Sequence, residues 1–330
     1  MKYARLGRSN LKVSRVCLGT MHFGRVTPED EALRIMDRAL EMGINFFDTA
    51  NVYGGNGLTE EVIGRWFAQG GGRREKTVLA TKVYGQMVSD PWPNEEGGVS
   101  AYKVRQQAAD SLRRLQTDHI DLYQVHHIDR TITGEEFWGM FERLMADGDV
   151  LYVGTSNFPG WGLAKYQSIA LQRGLLGIIS EQSMYNLLCR YPELEVLPAA
   201  QAYGIGVIPY MPLAGGLLTG KKQSEAGSRT AQVEDEYGIS VSQNARLEEF
   251  SALCAELGKT ESAVAIAWTL ARPAVTSPIV GVRTVGHLDG LERAAELELS
   301  SEVMQRLDEI FPLREGRPLR TAPAPEAYAW

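Results

Sequence analysis

Four side chains of different chemistry in the first half of the chain could together protonate a carbonyl oxygen. They are an acid, a phenol, an amine and an imidazole: Asp48, Tyr53, Lys82 and His126. A phenol with a pKa near about 10 is a poor acid at neutral pH, but an adjacent ammonium group favours its anion and lowers that pKa. Lys82 could supply the ammonium group, Asp48 could pair with it and orient it, and His126 could position a substrate oxygen.

Each of these residues ends or follows a short apolar segment, and eight such segments alternate with amphipathic ones. The predicted strands are Val16–Leu18, Asn45–Asp48, Val78–Thr81, Ile120–His126, Val150–Thr155, Gly177–Gln182, Val207–Pro209 and Ser277–Val280. The predicted helices are Glu29–Met42, Val104–Leu115, Glu135–Asp147, Leu163–Arg173, Glu193–Tyr203, Ala245–Leu257 and Glu261–Ala271. Such alternation is typical of parallel strands joined by right-handed helical crossovers, which form a doubly wound sheet or a closed barrel. The count of eight favours the α/β class with a (β/α)8 TIM barrel.

A barrel of this kind gathers the carboxyl ends of its strands at one rim, where the reactive groups of such folds lie. The four side chains would therefore meet although they are distant in sequence. Ahead of the first strand, Lys2–Arg5 and Leu11–Val13 flank the turn-rich Gly7-Arg8-Ser9-Asn10, which predicts an N-terminal β-hairpin that plugs the opposite mouth. We interpret residues 1–330 as a single domain.

Two stretches fall outside this alternation. The segment Lys222–Asn244 is polar, with glycine, serine and acidic residues and almost no apolar period, which predicts a long loop that serves as a lid. The stretch Pro312–Trp330 is proline-rich and ends in Tyr328-Ala329-Trp330. We expect it to be a tail packed on the barrel wall.

None of the four side chains is a source of hydride, so the chemistry requires a cofactor. No G-x-G-x-x-G follows an early strand, so the barrel itself must hold a nicotinamide. The segment Gly215–Lys222 is close to the P-loop motif but lacks the final Ser or Thr that ligates magnesium, which disfavours an ATPase. Its glycine amides and Lys221 could still hold a pyrophosphate. Neighbouring strand residues face opposite ways, so only one of His126 and His127 could enter the barrel, and no metal site is predicted.

The composition of the chain argues against several classes of partner and binding site. The net charge of −7 and the pI of about 5.4 leave no basic stripe for a phosphate backbone, which disfavours nucleic acid. Cys17, Cys189 and Cys254 lie far apart, so neither a disulfide framework nor a zinc site is indicated. The sequence has no export signal and no long apolar stretch, so we expect a cytoplasmic protein without a membrane partner. The oligomeric state stays open, and a homo-oligomer is one of the states allowed.

The chain resembles the aldo-keto reductase superfamily over nearly its whole length, specifically the longer bacterial branch related to potassium-channel β subunits and aryl-alcohol reductases. The residues that carry the resemblance are Gly43–Ala50 with Tyr53-Gly54, Thr81-Lys82, Asp121–His126, Gly154–Phe158 and Glu181–Asn186. The resemblance implies that Tyr53 is the general acid, that Lys82 and Asp48 tune it, and that His126 orients the carbonyl. It also implies an oxidoreductase that uses a nicotinamide cofactor on a small carbonyl substrate.

Cofactor contacts are implied by the same resemblance. Ser156, Asn157 and Gln182 fall where the family binds the carboxamide, and Tyr210 falls where a ring stacks on the nicotinamide. Arg283 suits a 2′-phosphate and favours NADPH over NADH. The full implied set is Gly19, Thr20, Met21, Asp48, Ser156, Asn157, Gln182, Tyr210, Met211, Pro212, Leu213, Gly215, Lys221, Gly281, Arg283 and His287. The chain departs from the family at Gly290-Leu291, where Glu-Asn often contacts adenine, which predicts a weaker grip on that base.

Substrate selection is expected to lie with loops at the rim. The candidate pocket residues are His22, Phe23, Tyr84, Trp92 and His127. Relatives within this branch reduce aryl aldehydes, 2-oxoaldehydes, ketones or deoxysugar intermediates, so a secondary-metabolite ketone or a keto sugar is one candidate class. Two rival functions stay open: an aldolase in which Lys82 forms a Schiff base, and a non-catalytic subunit that senses nicotinamide for a partner protein.

Overall fold

The structure is a computed structural model that describes residues 1–220, Ala231 and residues 245–313. Two short strands, β1 (Tyr3–Arg5) and β2 (Lys12–Ser14), form an antiparallel hairpin. Eight parallel strands follow in one sheet: β3 (Cys17–Gly19), β4 (Phe46–Asp48), β5 (Val78–Val83), β6 (Ile120–Val125), β7 (Val150–Ser156), β8 (Ile178–Gln182), β9 (Gly206–Val207) and β10 (Ile279–Gly281).

The sheet closes on itself. Hydrogen bonding runs in the order β10-β3-β4-β5-β6-β7-β8-β9. Between β9 and β10, the backbone N–H of Thr276 donates to the carbonyl oxygen of Val207 and that of Ile279 donates to Pro209, both at 2.8 Å. The prediction of a (β/α)8 barrel with an N-terminal hairpin is therefore confirmed.

Helices cover the outside of the barrel. They are α1 (Glu29–Glu41), α2 (Leu58–Phe67), α3 (Ala101–Leu115), α4 (Gly134–Asp147), α5 (Gly160–Gln172), α6 (Val196–Tyr203), α7 (Ala245–Glu256), α8 (Glu261–Leu270), α9 (Leu291–Glu296) and α10 (Ser301–Ile310). Short 3-10 turns occur at Tyr191–Glu193, Ala214–Gly216 and Val285–Leu288. Side-chain oxygens of Ser100, Thr133, Thr260 and Ser300 accept from backbone N–H groups at the starts of four helices, which explains where these helices begin.

The hairpin closes the amino-terminal mouth of the barrel. Leu6 and Val13 from the hairpin region pack against inward-facing Phe46, Leu122 and Ile179, and all five are buried. Apolar contacts thus fill the lower half of the barrel, as the sequence predicts. The opposite rim is left to polar side chains.

Some predicted features lie outside the described residues. They are the lid over Lys222–Asn244, apart from Ala231, and the tail beyond Leu313. Within the described part of the chain, no helix is both long and apolar enough to cross a membrane.

Candidate active site

The four predicted catalytic residues converge at the carboxyl-terminal rim. Asp48 ends β4, Lys82 lies near the end of β5 and His126 directly follows β6, while Tyr53 lies in the turn after β4. These three strands are neighbours in the barrel. Parallel register brings their ends to one height, so residues that are far apart in sequence meet in space.

Lys82 is fully buried and makes three short contacts. Its Nζ donates to Asp48 Oδ2 at 2.7 Å, to the carbonyl oxygen of Thr49 at 2.8 Å and to Tyr53 Oη at 3.1 Å. Burial opposes the charge on the amine, but Asp48 and Tyr53 outweigh it, so the pKa of Lys82 lies above its ordinary value. The amine is therefore held as an ammonium ion at the phenol oxygen.

The pKa of Tyr53 departs from the sequence-based expectation. The sequence predicts a pKa lowered by the neighbouring ammonium group. In the structure the hydroxyl end of Tyr53 lies against the fully buried Lys82, and burial raises the pKa of Tyr53 above its ordinary value although Lys82 acts to lower it. The resting phenol therefore keeps its proton, and the ammonium group is in place to stabilise the anion once that proton leaves.

The second carboxylate oxygen of Asp48 accepts hydrogen bonds from two glutamine side chains. Its Oδ1 accepts from Gln182 Nε2 at 2.8 Å and from Gln124 Nε2 at 3.1 Å, and Gln182 also donates to Gln124 Oε1 at 3.3 Å. Gln124 is absent from the predicted site residues. On β6 it lies two residues after the inward-facing Leu122, and that period of two is the signal that could have found it.

The two adjacent histidines both line the rim groove, although alternation along a strand would turn only one of them into the barrel. The strand β6 ends at Val125, so strand alternation does not apply to them. Their rings stack with centroids 5.1 Å apart, and the ring of Tyr53 meets His126 edge-on at 5.9 Å. Burial, reinforced by the charge of Lys82, holds the pKa of His126 well below its ordinary value and lowers the pKa of His127 to about 4, so both imidazoles are neutral.

A groove of about 1320 Å³ runs from these residues across the rim. It begins at Asp48, Tyr53 and His126. Of the predicted cofactor residues, those that line it are Gly19, Thr20, Met21, Asp48, Ser156, Asn157, Gln182, Tyr210, Met211, Pro212, Leu213, Gly215, Gly281, Arg283 and His287. Lys221 lies outside the described residues.

The residues expected around a carboxamide are already linked to one another. Asn157 Nδ2 donates to the carbonyl oxygen of His126 at 3.0 Å, and its Oδ1 accepts from Tyr210 Oη at 3.0 Å. Ser156 Oγ donates to the carbonyl oxygen of Gln182 at 2.8 Å. Asn157 adopts a left-handed backbone with φ of 57°, which asparagine tolerates better than most residues. These contacts link the carboxyl ends of four neighbouring strands, β6, β7, β8 and β9.

The far end of the groove carries charged residues of both signs, namely Lys259, Arg283 and Arg293 with Glu261, Asp289 and Glu296. Arg283 is half-buried, its backbone N–H donates to His287 Nδ1 at 3.2 Å, and no carboxylate pairs with its guanidinium within the described ranges. Lys259 and Arg293 line the same end and are missing from the predicted set. Both residues lie in short polar stretches that resemble ordinary protein surface, so the sequence does not indicate that they line the groove.

Two sequence features near this end take structural roles. Gly290 has a φ of 84° at the start of α9, a conformation that favours glycine, and Leu291 is buried. Gly215 and Gly216, the first residues of the incomplete P-loop, belong to the 3-10 turn Ala214–Gly216 and line the groove.

The predicted substrate residues divide into three groups. His22 and His127 line the groove. Tyr84 does not line the groove itself, but its ring packs edge-on against the ring of His127 with the two centroids 5.2 Å apart. Phe23 is fully buried in the core and Trp92 is 78% exposed, so the structure brings neither to the groove. For Phe23 the reason is that the turn after β3 folds its ring inward beneath α2, where its carbonyl oxygen accepts from Thr59.

The described part of the chain contains no cluster of three histidine, cysteine or carboxylate residues that could hold a metal ion. Its three cysteines are free and buried.

The chain is similar in sequence to known oxidoreductases. Residues 15–311 match the model of the aldo/keto reductase family. The uncharacterized oxidoreductase YrpG of Bacillus subtilis is 52% identical over all of both chains. Versiconal hemiacetal acetate reductase of Aspergillus parasiticus is 31% identical over 94% of this chain and 97% of its own. A probable voltage-gated potassium channel subunit beta of Oryza sativa is 32% identical over 97% of this chain and 99% of its own.

Proposed function

Because the chain belongs to the aldo/keto reductase family, we propose that it reduces an aldehyde or a ketone to an alcohol with NADPH as cofactor and Tyr53 as proton donor. The contact that carries the proposal is the 3.1 Å hydrogen bond from Lys82 Nζ to Tyr53 Oη, at the inner end of the groove. This contact couples a protonated phenol to a buried cation where a substrate oxygen can reach it. Carbonyl reduction needs a proton donor at the oxygen, and this pair can supply one.

The residues present fit a dinucleotide. A volume of about 1320 Å³ exceeds the upper range of roughly 1,000 Å³ for a pocket that holds one small ligand. Ser156, Asn157 and Gln182 would hold the carboxamide, and Tyr210 would stack on the nicotinamide ring. At the other end, Arg283 would hold a 2′-phosphate, because its half-buried guanidinium has no carboxylate partner among the described residues. That feature supports NADPH over NADH.

The side chains then divide the work of reduction. The bound nicotinamide would supply a hydride to the carbonyl carbon. Neutral His126 donates a hydrogen bond that orients the carbonyl oxygen, and Tyr53 gives its Oη proton to that oxygen as negative charge develops on it. The ammonium group of Lys82 stabilises the phenolate that remains, and Asp48 keeps Lys82 charged and in place.

The Schiff-base alternative fits this site poorly. An amine must be neutral to attack a carbonyl, but the pKa of Lys82 is raised and its Nζ already donates to three oxygens. Lys82 also stands behind Asp48 and Tyr53 rather than in the groove lining. A nicotinamide-sensing subunit would use the same groove, and turnover on a carbonyl panel separates that function from a reductase.

We propose a secondary-metabolite ketone or a keto sugar as the substrate class. One relative is named for reducing versiconal hemiacetal acetate, which supports a substrate with several oxygen atoms. We also propose that the protein is cytoplasmic. Its oligomeric state stays open, and a homo-oligomer is one of the states allowed.

The test is NADPH consumption with a panel of aldehydes and ketones. The Tyr53→Phe variant should lower kcat roughly a hundred- to ten-thousandfold, because it removes the proton donor, while NADPH still binds. Turnover is followed by NADPH absorbance and binding by NADPH fluorescence.

Tyr203→Phe is a matched control, because it removes a phenol oxygen from α6, away from the groove. This control should keep wild-type turnover. Wild-type turnover in Tyr53→Phe would refute the assignment of the proton donor.

A further inference from the structure

Glu181 is a buried carboxylate beside the cofactor groove with no role in the chemistry above. It precedes Gln182 on β8, and alternate strand residues face opposite sides, so it points away from the barrel interior toward the loops outside. Thr155 Oγ1 donates to its Oε2 at 2.5 Å, and Ser183 Oγ donates to its Oε1 at 2.7 Å. The backbone N–H of Phe158 donates to Oε1 at 3.2 Å.

These donors belong to the two loops that carry the expected carboxamide contacts. Thr155 and Phe158 bracket Ser156 and Asn157 where β7 ends, and Ser183 follows Gln182, the last residue of β8. Asn157 holds a left-handed backbone and joins His126 to Tyr210 through its side chain. The carboxylate therefore fixes the backbone on which the nicotinamide contacts stand.

The surroundings of Glu181 act on its charge through burial and hydrogen bonds. The groups that face it from β7, the following loop and the end of β8 are the hydroxyls of Thr155 and Ser183 and the backbone N–H groups of Asn157 and Phe158. None of them titrates near neutral pH. Burial raises the pKa of Glu181 to about 7, and the hydrogen bonds act to lower it.

We propose that Glu181 is a positioning residue whose ionised carboxylate holds both loops in the shape that receives the nicotinamide carboxamide. Protonation turns one acceptor oxygen into an O–H donor. A hydroxyl that donated to this oxygen must then rotate and accept instead, and the backbone N–H groups, which can only donate, face a carboxyl with less accepting capacity. The loop that carries Ser156 and Asn157 loses support, and the bound cofactor favours the ionised form. Cofactor affinity is therefore full above pH 7 and falls as the pH drops through 7. The inference rests on the proposed function.

The experiment measures the Kd of NADH and of NADPH by nucleotide fluorescence, from well below to well above pH 7. NADH is included because it lacks the 2′-phosphate, whose own second pKa near about 6 would add a pH dependence. For the wild type we expect both Kd values to rise roughly tenfold toward acid pH, the size of a hydrogen bond to a charged group. Glu181→Gln should bind with the weak affinity of the acid form at every pH.

Glu60→Gln is the matched control. Glu60 is equally buried and accepts from Thr81, Ser111 and Arg114, but it lies on α2 away from the groove. It should keep the wild-type pH profile of NADH binding even if the variant is less stable. A second variant, Thr155→Val, removes one donor that favours the ionised carboxylate and should move the midpoint of the profile to higher pH.

The outcomes separate the two claims. A flat wild-type profile for NADH, or a wild-type profile in Glu181→Gln, overturns the positioning role and leaves the reductase intact. If Glu181→Gln does not fold, an unmoved midpoint in Thr155→Val overturns the role and a raised midpoint supports it. Failure of the wild type to bind either nucleotide at any pH overturns the proposed function, and the inference with it.

Discussion

His127 is a neutral imidazole whose two nitrogens have different surroundings. Its Nδ1 is buried and has no hydrogen-bond partner within residues 1–220, 231 and 245–313. A buried N–H without an acceptor is rarer and costlier than a buried lone pair, so we assign the proton to Nε2. Because the ring lines the groove beside His126, we predict that Nε2–H donates to a second substrate oxygen near the carbonyl.

The variant His127→Phe tests that donor. It keeps the ring that packs against His126 and Tyr84 but removes both nitrogens. We expect kcat/KM for butane-2,3-dione to fall roughly fivefold to tenfold more than kcat/KM for butan-2-one, because only the dione offers the second oxygen. Steady-state assays with the two substrates give this ratio. His127→Asn, which restores a donor, should recover part of it, and equal losses for both substrates would refute the assignment.

At the level of helices and strands, the sequence predicts those elements whose apolar residues recur at regular spacing. All eight barrel strands and the convergence of Asp48, Lys82 and His126 follow from such spacing. The helix α2 escaped prediction because its buried face includes Thr59 and Glu60, which interrupt the apolar period. Their partners come from other elements: Glu60 pairs with Arg114 of α3 at 2.7 Å. Contacts of that kind are set by tertiary packing, which local spacing does not reveal.

The same limit applies within the site. The pKa of Tyr53 depends on how deeply its hydroxyl is buried, and the sequence shows only that Lys82 is near. The stacking of His126 and His127 depends on β6 ending at Val125, one residue earlier than predicted. The roles of the other rim residues stay predictions.

The turn after β10 carries the cofactor preference that we propose. Arg283→Ala should raise the KM for NADPH roughly tenfold to a hundredfold, because a charge-assisted hydrogen bond to the 2′-phosphate is lost, and should change the KM for NADH much less. Initial rates with each nucleotide measure this difference.

Arg293→Ala removes the same charge from another position in the same groove. Its effect should be smaller if Arg283 binds the phosphate directly. Equal effects of the two variants would indicate general electrostatic attraction rather than a phosphate contact.

Over the whole molecule, apolar side chains close one end of the barrel, and polar side chains that can carry out chemistry line the other end. The hairpin seals the amino-terminal mouth with apolar side chains such as Leu6 and Val13. The opposite half holds a buried polar layer in which Asp48 bonds with Lys82, Gln124 and Gln182. A buried polar layer is tolerated when its members satisfy one another, and here the carboxylate accepts from all three. In the described part of the chain, the rim groove gives ligands access to this polar layer.

The seal depends on a close approach of backbones at Gly7. Its φ is 55°, and a Cβ there would overlap the carbonyl oxygen of Ile179 and lie 2.8 Å from both Gly204 O and Gly206 N. Gly7→Ala should therefore lower the free energy of unfolding by more than about 2 kcal/mol, since neither backbone can yield cheaply. Gly174→Ala is the matched control: its φ is 73° with open space around it, so it should cost only the strain of about 1–2 kcal/mol. Urea unfolding followed by tryptophan fluorescence compares the two, and equal losses would mean that the plug does not depend on this approach.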